Sequence, residues 1–121
     1  MFHVDGDKSK RLLTICYTGH VGADEMPFCV DKIKGSLAEM ETGFRLLADF
    51  SNMESMAMTC GVYIREIMGL CNAKGVSAVT RVLPDPRKDI GLFIMSCFHY
   101  GPNVRIITCE SMAEAMRSLD D

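Results

Sequence analysis

The sequence predicts an α/β protein with a mostly parallel open sheet of about five strands, an N-terminal antiparallel hairpin and four helices, in the order β-β-α-β-α-β-α-β-α. Three observations carry this. Short apolar runs, RLLTICYTG, RLLADF, VSAVTRVL and VRIITC, alternate with longer segments whose apolar residues recur every three to four positions. FHV and RLLTICYTG flank the polar, Gly-containing DGDKSK, which reads as a tight hairpin loop. Strands joined through helices pair in parallel with right-handed crossovers, so the hairpin supplies the one antiparallel edge.

Each element has its own warrant. After the hairpin, Met26, Cys29, Val30, Ile33, Leu37 and Met40 form an apolar stripe while Asp31, Lys32, Lys34 and Glu39 fill the opposite face, which predicts an amphipathic helix. Pro27 suits its first turn, where no intrahelical N–H is lost, and Asp24 is the expected N-cap. RLLADF is the kind of apolar run expected for a strand buried on both faces. A second helix places Cys60, Ile64, Ile67 and Cys71 on one face, reinforced by Tyr63 and Leu70, and closes at Gly75. VSAVTRVL, rich in β-branched residues, is the next strand. Asp85, Pro86 and apolar residues at 90, 93, 94, 97 and 98 predict a third helix to about His99, stopped by Gly101-Pro102. VRIITC is the last strand, and Ser111 and Glu114 have the capping-box spacing that opens a short C-terminal helix.

Composition narrows the function classes. The 121 residues make one domain, 1–121, and 48% hydrophobic with 24% charged residues is the profile of a chain that folds on its own core. Thirteen Lys+Arg against sixteen Asp+Glu leave a net charge of −3 with no basic block, which argues against a nucleic-acid partner. The start, MFHVDGDKSK, has no signal-peptide core, and the longest apolar stretch, around Ile90–Phe98, is too short to span a bilayer. No membrane role and a cytoplasmic location are therefore expected. Cysteines at 16, 29, 60, 71, 97 and 109 form no C-x-x-C pair and have no histidine at zinc spacing, so they read as small core residues, and neither a metal nor another cofactor is expected.

In parallel sheets the loops after the strands collect at one end, here Thr18–Gly22, Ser51–Thr59, Pro84–Lys88 and Thr108–Ser111. Ser51, Ser55 and Thr59 have only His20 as a conceivable base, with no G-x-S-x-G elbow and no glycine-rich phosphate fingerprint. The expectation is a protein that is not an enzyme. What remains are helix N-termini, which favour an anion or a phosphorylated side chain. Thr59 falls near the first turn of the second helix, and its seven-residue spacing to Glu66 puts it on the polar side, so its hydroxyl should be accessible. Ser51, Asn52 and Ser55 either turn the chain and cap that helix or take part in recognition. Met53, Met56 and Met58 are either core filler beneath the loop or an adaptable apolar surface for a partner.

With this order and this junction, the chain resembles the STAS domain, the fold of bacterial anti-sigma-factor antagonists and of the cytoplasmic tails of sulfate transporters. The resemblance spans nearly the whole chain. It rests on the element order, on Gly19 and Gly22 after the second strand, and on LLADFSNM, which is similar to the family's strand ending in Asp-Leu-Ser. In the family an acidic-Ser-Ser-Gly stretch then opens the second helix, and its second Ser is phosphorylated by a partner kinase. The four matching positions here are Ala57, Met58, Thr59 and Cys60, so only the phosphoacceptor position, Thr59, keeps a hydroxyl. The resemblance implies a regulatory protein-interaction domain with Thr59 as the candidate phosphoacceptor, and Ser51, Asn52, Met53, Ser55, Met56 and Met58 as partner-binding residues. Its implied partner is a protein, an anti-sigma factor or a serine/threonine kinase. The alternative is a carrier or sensor of a small anion, held at helix N-termini by Thr59, Arg87 and Lys88.

Overall fold

A computed structural model describes residues 1–83 and 103–120 of the chain. The elements are β1 (Phe2–Asp7), β2 (Leu12–Val21), α1 (Met26–Glu39), β3 (Arg45–Met56), a 3-10 turn (Met58–Cys60), α2 (Gly61–Lys74), β4 (Ala78–Val82), β5 (Arg105–Cys109) and α3 (Met112–Asp120). The five strands lie in the order β1-β2-β3-β4-β5, with β1 antiparallel to β2 and every other pair parallel. This is the α/β architecture that the alternating pattern predicts. The helix expected over 85–99, and with it Cys97, lies outside the described residues.

Local chemistry sets the element ends. In the β1–β2 turn the Asp7 carboxylate accepts from Ser9 Oγ at 2.8 Å and from the Lys10 N–H at 3.1 Å, which holds its pKa below the ordinary value. Helix α1 opens with Pro27 in its first turn, but Asp24 is not its cap: Glu25 flanks the first turn, and its carboxylate accepts from the Gly22 N–H instead. Helix α3 keeps half of its capping box. Ser111 Oγ accepts from the Glu114 N–H at 3.2 Å, while the Glu114 carboxylate reaches one residue further back, to the Glu110 N–H at 3.0 Å.

The core fills both faces of β3. Leu46, Ala48 and Phe50 face α1 and α2 together with Ile15, Ile33, Ile64 and Ile67, whereas Leu47 turns to the opposite face to meet Val82, Cys109 and Ala115. Alternation across the pleat explains why one continuous apolar run serves two layers. Phe50 stacks on Tyr17 with ring centroids 5.2 Å apart. Arg45 ties α3 to the sheet by donating to the Leu119 carbonyl at 2.7 Å.

The C-terminal end of α2 gives a test of backbone constraint. Gly75 adopts φ 93°, and a Cβ there would sit 2.6 Å from Thr42 Cγ2. Thr42 cannot turn away freely, because its Oγ1 donates to the Lys74 carbonyl at 3.2 Å. Gly75→Ala is expected to cost about 2 kcal/mol or more, the left-handed strain plus the displaced contact. Gly19, at φ 62° with nothing within 4 Å of its would-be Cβ, is the control, and Gly19→Ala should cost only about 1 kcal/mol. Urea denaturation of both variants checks the difference.

Cys29, Cys60, Cys71 and Cys109 are buried, as a core role requires. Burial pushes the Cys29 thiol from 9.0 up to about 11 and the Cys71 thiol up to about 12. Because the folded values are raised, these thiols contribute stability below the unfolded pKa and lose it as pH climbs toward the folded one. Stability should therefore fall above about pH 9, by roughly 1.4 kcal/mol per pH unit for each fully coupled thiol. Urea midpoints measured across that range should decline less steeply for Cys71→Ala than for wild type.

Candidate functional site

The strand-to-helix junction after β3 differs from a simple loop. Strand β3 does not end at Phe50 but runs on to Met56, paired with β2 as far as Val21↔Met56, while β4 stops opposite Asp49 at Val82. The pairing slips twice. From Cys16↔Asp49 to Thr18↔Asn52, β2 advances two residues and β3 three; from Gly19↔Met53 to His20↔Ser55, β2 advances one and β3 two. Each slip is a bulge that adds one residue to β3 and turns the following side chains. Buried positions in the extension, where β3 pairs with β2 alone, therefore come every third residue, Phe50, Met53 and Met56, rather than every second.

This geometry sorts the candidate residues. Met53 and Met56 are only 5% and 6% exposed and belong to the main hydrophobic core, which corrects their assignment to a partner surface. Met58 is 75% exposed. Ser51, Asn52 and Ser55 are exposed on the strand extension, not in a loop, and none of them caps α2, whose flanking residue Cys60 makes no side-chain cap. Ser51 is held by Asp49, whose Oδ1 accepts from the Ser51 N–H at 2.9 Å and from its Oγ at 2.6 Å. Asp49 is itself buried, with the Cys16 thiol 3.8 Å from its other oxygen; burial, then that carboxylate, raises the thiol pKa. Ser55 Oγ lies 2.6 Å from His20 Nδ1, the cross-strand partner set by the register. Among the described residues no carboxylate hydrogen-bonds the other side of that ring, so the pair serves as a polar tie across the extension.

Thr59 stands at the start of α2, exposed, in the turn Met58–Cys60. No acidic residue occupies the first turn of that segment or of α2, although Glu25 and Asp24, just before α1, are near enough for their charge to help raise the Cys60 thiol pKa after burial. Val62, 58% exposed, follows one turn later, and Phe28, 67% exposed, lies in the first turn of α1. Because β2 and β3 are parallel, α1 and α2 begin at the same end of the sheet. The N-terminal amine is anchored at that end too, on the Thr18 and His20 carbonyls and on Glu25 at 3.1 Å. Phe28 and Val62 are absent from the sequence-derived candidates, although both stand off their helices' apolar stripes, and an apolar residue off the stripe is the signal that finds them. Arg87 and Lys88 lie outside the described residues. Among the described residues there is no cluster of three metal-ligating side chains and no helix long and apolar enough to cross a membrane.

No protein-family model matches the sequence, and no curated protein matches it. Solved structures do. The anti-sigma factor antagonist SpoIIAA in its unphosphorylated form superposes with a TM-score of 0.68 at 14% identity, over 99% of this chain and 98% of that one. The chain has a STAS-like fold. An anti-sigma factor antagonist from Mycobacterium paratuberculosis matches this STAS-like domain with a TM-score of 0.60 at 12% identity, over 100% of this chain and 96% of that one. A chain from the complex of the diguanylate cyclase SiaD with its activator SiaC, from Pseudomonas aeruginosa, matches with a TM-score of 0.59 at 11% identity, over 90% and 93% of the two chains.

Proposed function

We propose that this STAS-like domain is a non-enzymatic regulatory module that binds a protein partner through the surface around Thr59, and that phosphorylation of Thr59 releases the partner. The observation that carries the reading is an exposed hydroxyl at a helix start with no acid in its first turn, flanked by the exposed apolar side chains of Met58 and Val62. Apolar side chains there supply contact area to a partner. A phosphate adds about −1.5 to −2 charge, which the helix start accommodates and a packed apolar interface does not. Ser51, Asn52 and Ser55 extend the surface along the β3 extension, and Phe28 extends it onto α1. The partner is a protein of the anti-sigma-factor or serine/threonine-kinase class, in keeping with fold neighbours that are an antagonist of anti-sigma factors and a complex of an activator with its cyclase. Affinity capture from native cells, read by mass spectrometry for co-purifying proteins and for phosphate on Thr59, tests both halves. Recovery of no specific protein with Thr59 unmodified under every growth condition would overturn the reading.

A further inference from the structure

At the opposite end of the helix layer, α1 and α2 leave an open groove of about 310 Å³ lined by Lys34, Leu37 and Ala38 of α1 and Leu70, Ala73 and Lys74 of α2. Leu37 is buried and Leu70 half-buried, so the floor is aliphatic. Ala38 and Ala73 are exposed and too short to close over it. Both charged residues of the lining are lysines. Lys34 stands one turn before Ala38, about 6 Å along α1, and Lys74 lies in the last turn of α2. Among the described residues the carboxylate that pairs with them is Glu66, which meets Lys34 at 4.0 Å with both side chains about half exposed, a contact that an incoming acid can replace.

We propose that this groove docks an acidic amphipathic helix of a protein partner, with one aliphatic side chain seated on Leu37 and Leu70 and carboxylates one turn to either side meeting Lys34 and Lys74. Charge complementarity selects the acid, and an aliphatic floor between two helices takes the apolar face of an amphipathic helix. An enclosed small-molecule site would bury most of its ligand, whereas exposed alanine walls leave a free amphiphile open to water and suit a side chain carried in by a larger surface. The site is independent of Thr59, which lies at the other end of α2.

The probe is a fluorescein-labelled helical peptide on an alanine background, with one central Leu and Glu four residues before and after it, titrated into the whole chain by anisotropy. A second peptide carries Lys in place of both Glu. The acidic peptide is expected to bind more tightly than the basic one, to weaken tenfold or more with Lys34→Glu/Lys74→Glu, and to shift the amide resonances of residues 34–38 and 70–74. The double variant, whose changes are exposed or half-exposed, should keep the wild-type circular dichroism spectrum and reverse the preference between peptides. Lys74→Arg should retain binding. Equal binding of the two peptides, shifts confined to the Thr59 end, the same shifts produced by decanoate but not by the peptide, or the same shifts produced by dilution-sensitive self-association would each overturn the proposal.

Discussion

Thr59→Asp is expected to lower affinity for the captured partner by tenfold or more, about 1.4 kcal/mol, while leaving the melting temperature unchanged or slightly raised. The two halves of this expectation have separate causes. A carboxylate at an exposed position beside the start of α2 faces partial positive charge with no acid already in the first turn, so the folded state tolerates it. The same carboxylate set between Met58 and Val62 must be desolvated when a partner covers those side chains, and nothing apolar repays that cost. Thr59→Ala supplies the opposite case: it removes the hydroxyl without adding charge, so binding should persist and no longer respond to kinase treatment. Isothermal titration of wild type and both variants against the captured partner measures this. Equal affinity for wild type and Thr59→Asp would dispose of the switch while leaving the interaction module standing, because capture of the partner does not depend on Thr59 chemistry.

How much of this was legible in the sequence follows from what each pattern encodes. The run RLLADF reads correctly as a doubly buried strand because burial on both faces needs nothing beyond consecutive apolar residues, and Leu46 and Leu47 do turn to opposite layers. The stop at Gly75 reads correctly because the αL conformation after a helix selects glycine locally. The extension Ser51–Met56 does not read as strand, since its apolar residues fall at every third position. That period is produced by two bulges, and a bulge is defined by the register against β2, which the sequence of β3 alone does not contain. Polar residues in the extension therefore look like a capping loop. The exposure of Thr59, by contrast, reads correctly from its position off the Cys60–Ile64–Ile67–Cys71 face, although the residue stands in the 3-10 turn before α2 rather than in the helix.

The three methionines of that stretch should behave as two different residue classes. Met53→Ala is expected to destabilise the fold by about 2–4 kcal/mol, because the side chain is buried in the core between the strand extension and the helices and its removal leaves a cavity that the bulged backbone fills only in part. Met56→Ala should fall in the same range. Met58→Ala should change stability by no more than about 0.5 kcal/mol, since three-quarters of that side chain already faces water, yet weaken the captured partner by about tenfold. Denaturant midpoints and partner titrations on the three variants together separate the outcomes. A simple loop would let all three methionines behave alike, either as exposed contacts or as loosely held filler. Only a strand with two inserted residues puts Met53 and Met56 inward at a spacing of three and releases Met58 into the turn beside Thr59. Loss of stability in Met58→Ala, or its absence in Met53→Ala, would mean that the pairing between His20 and Ser55 is not the register the protein uses, and the exposed surface around Thr59 would have to be redrawn from that point.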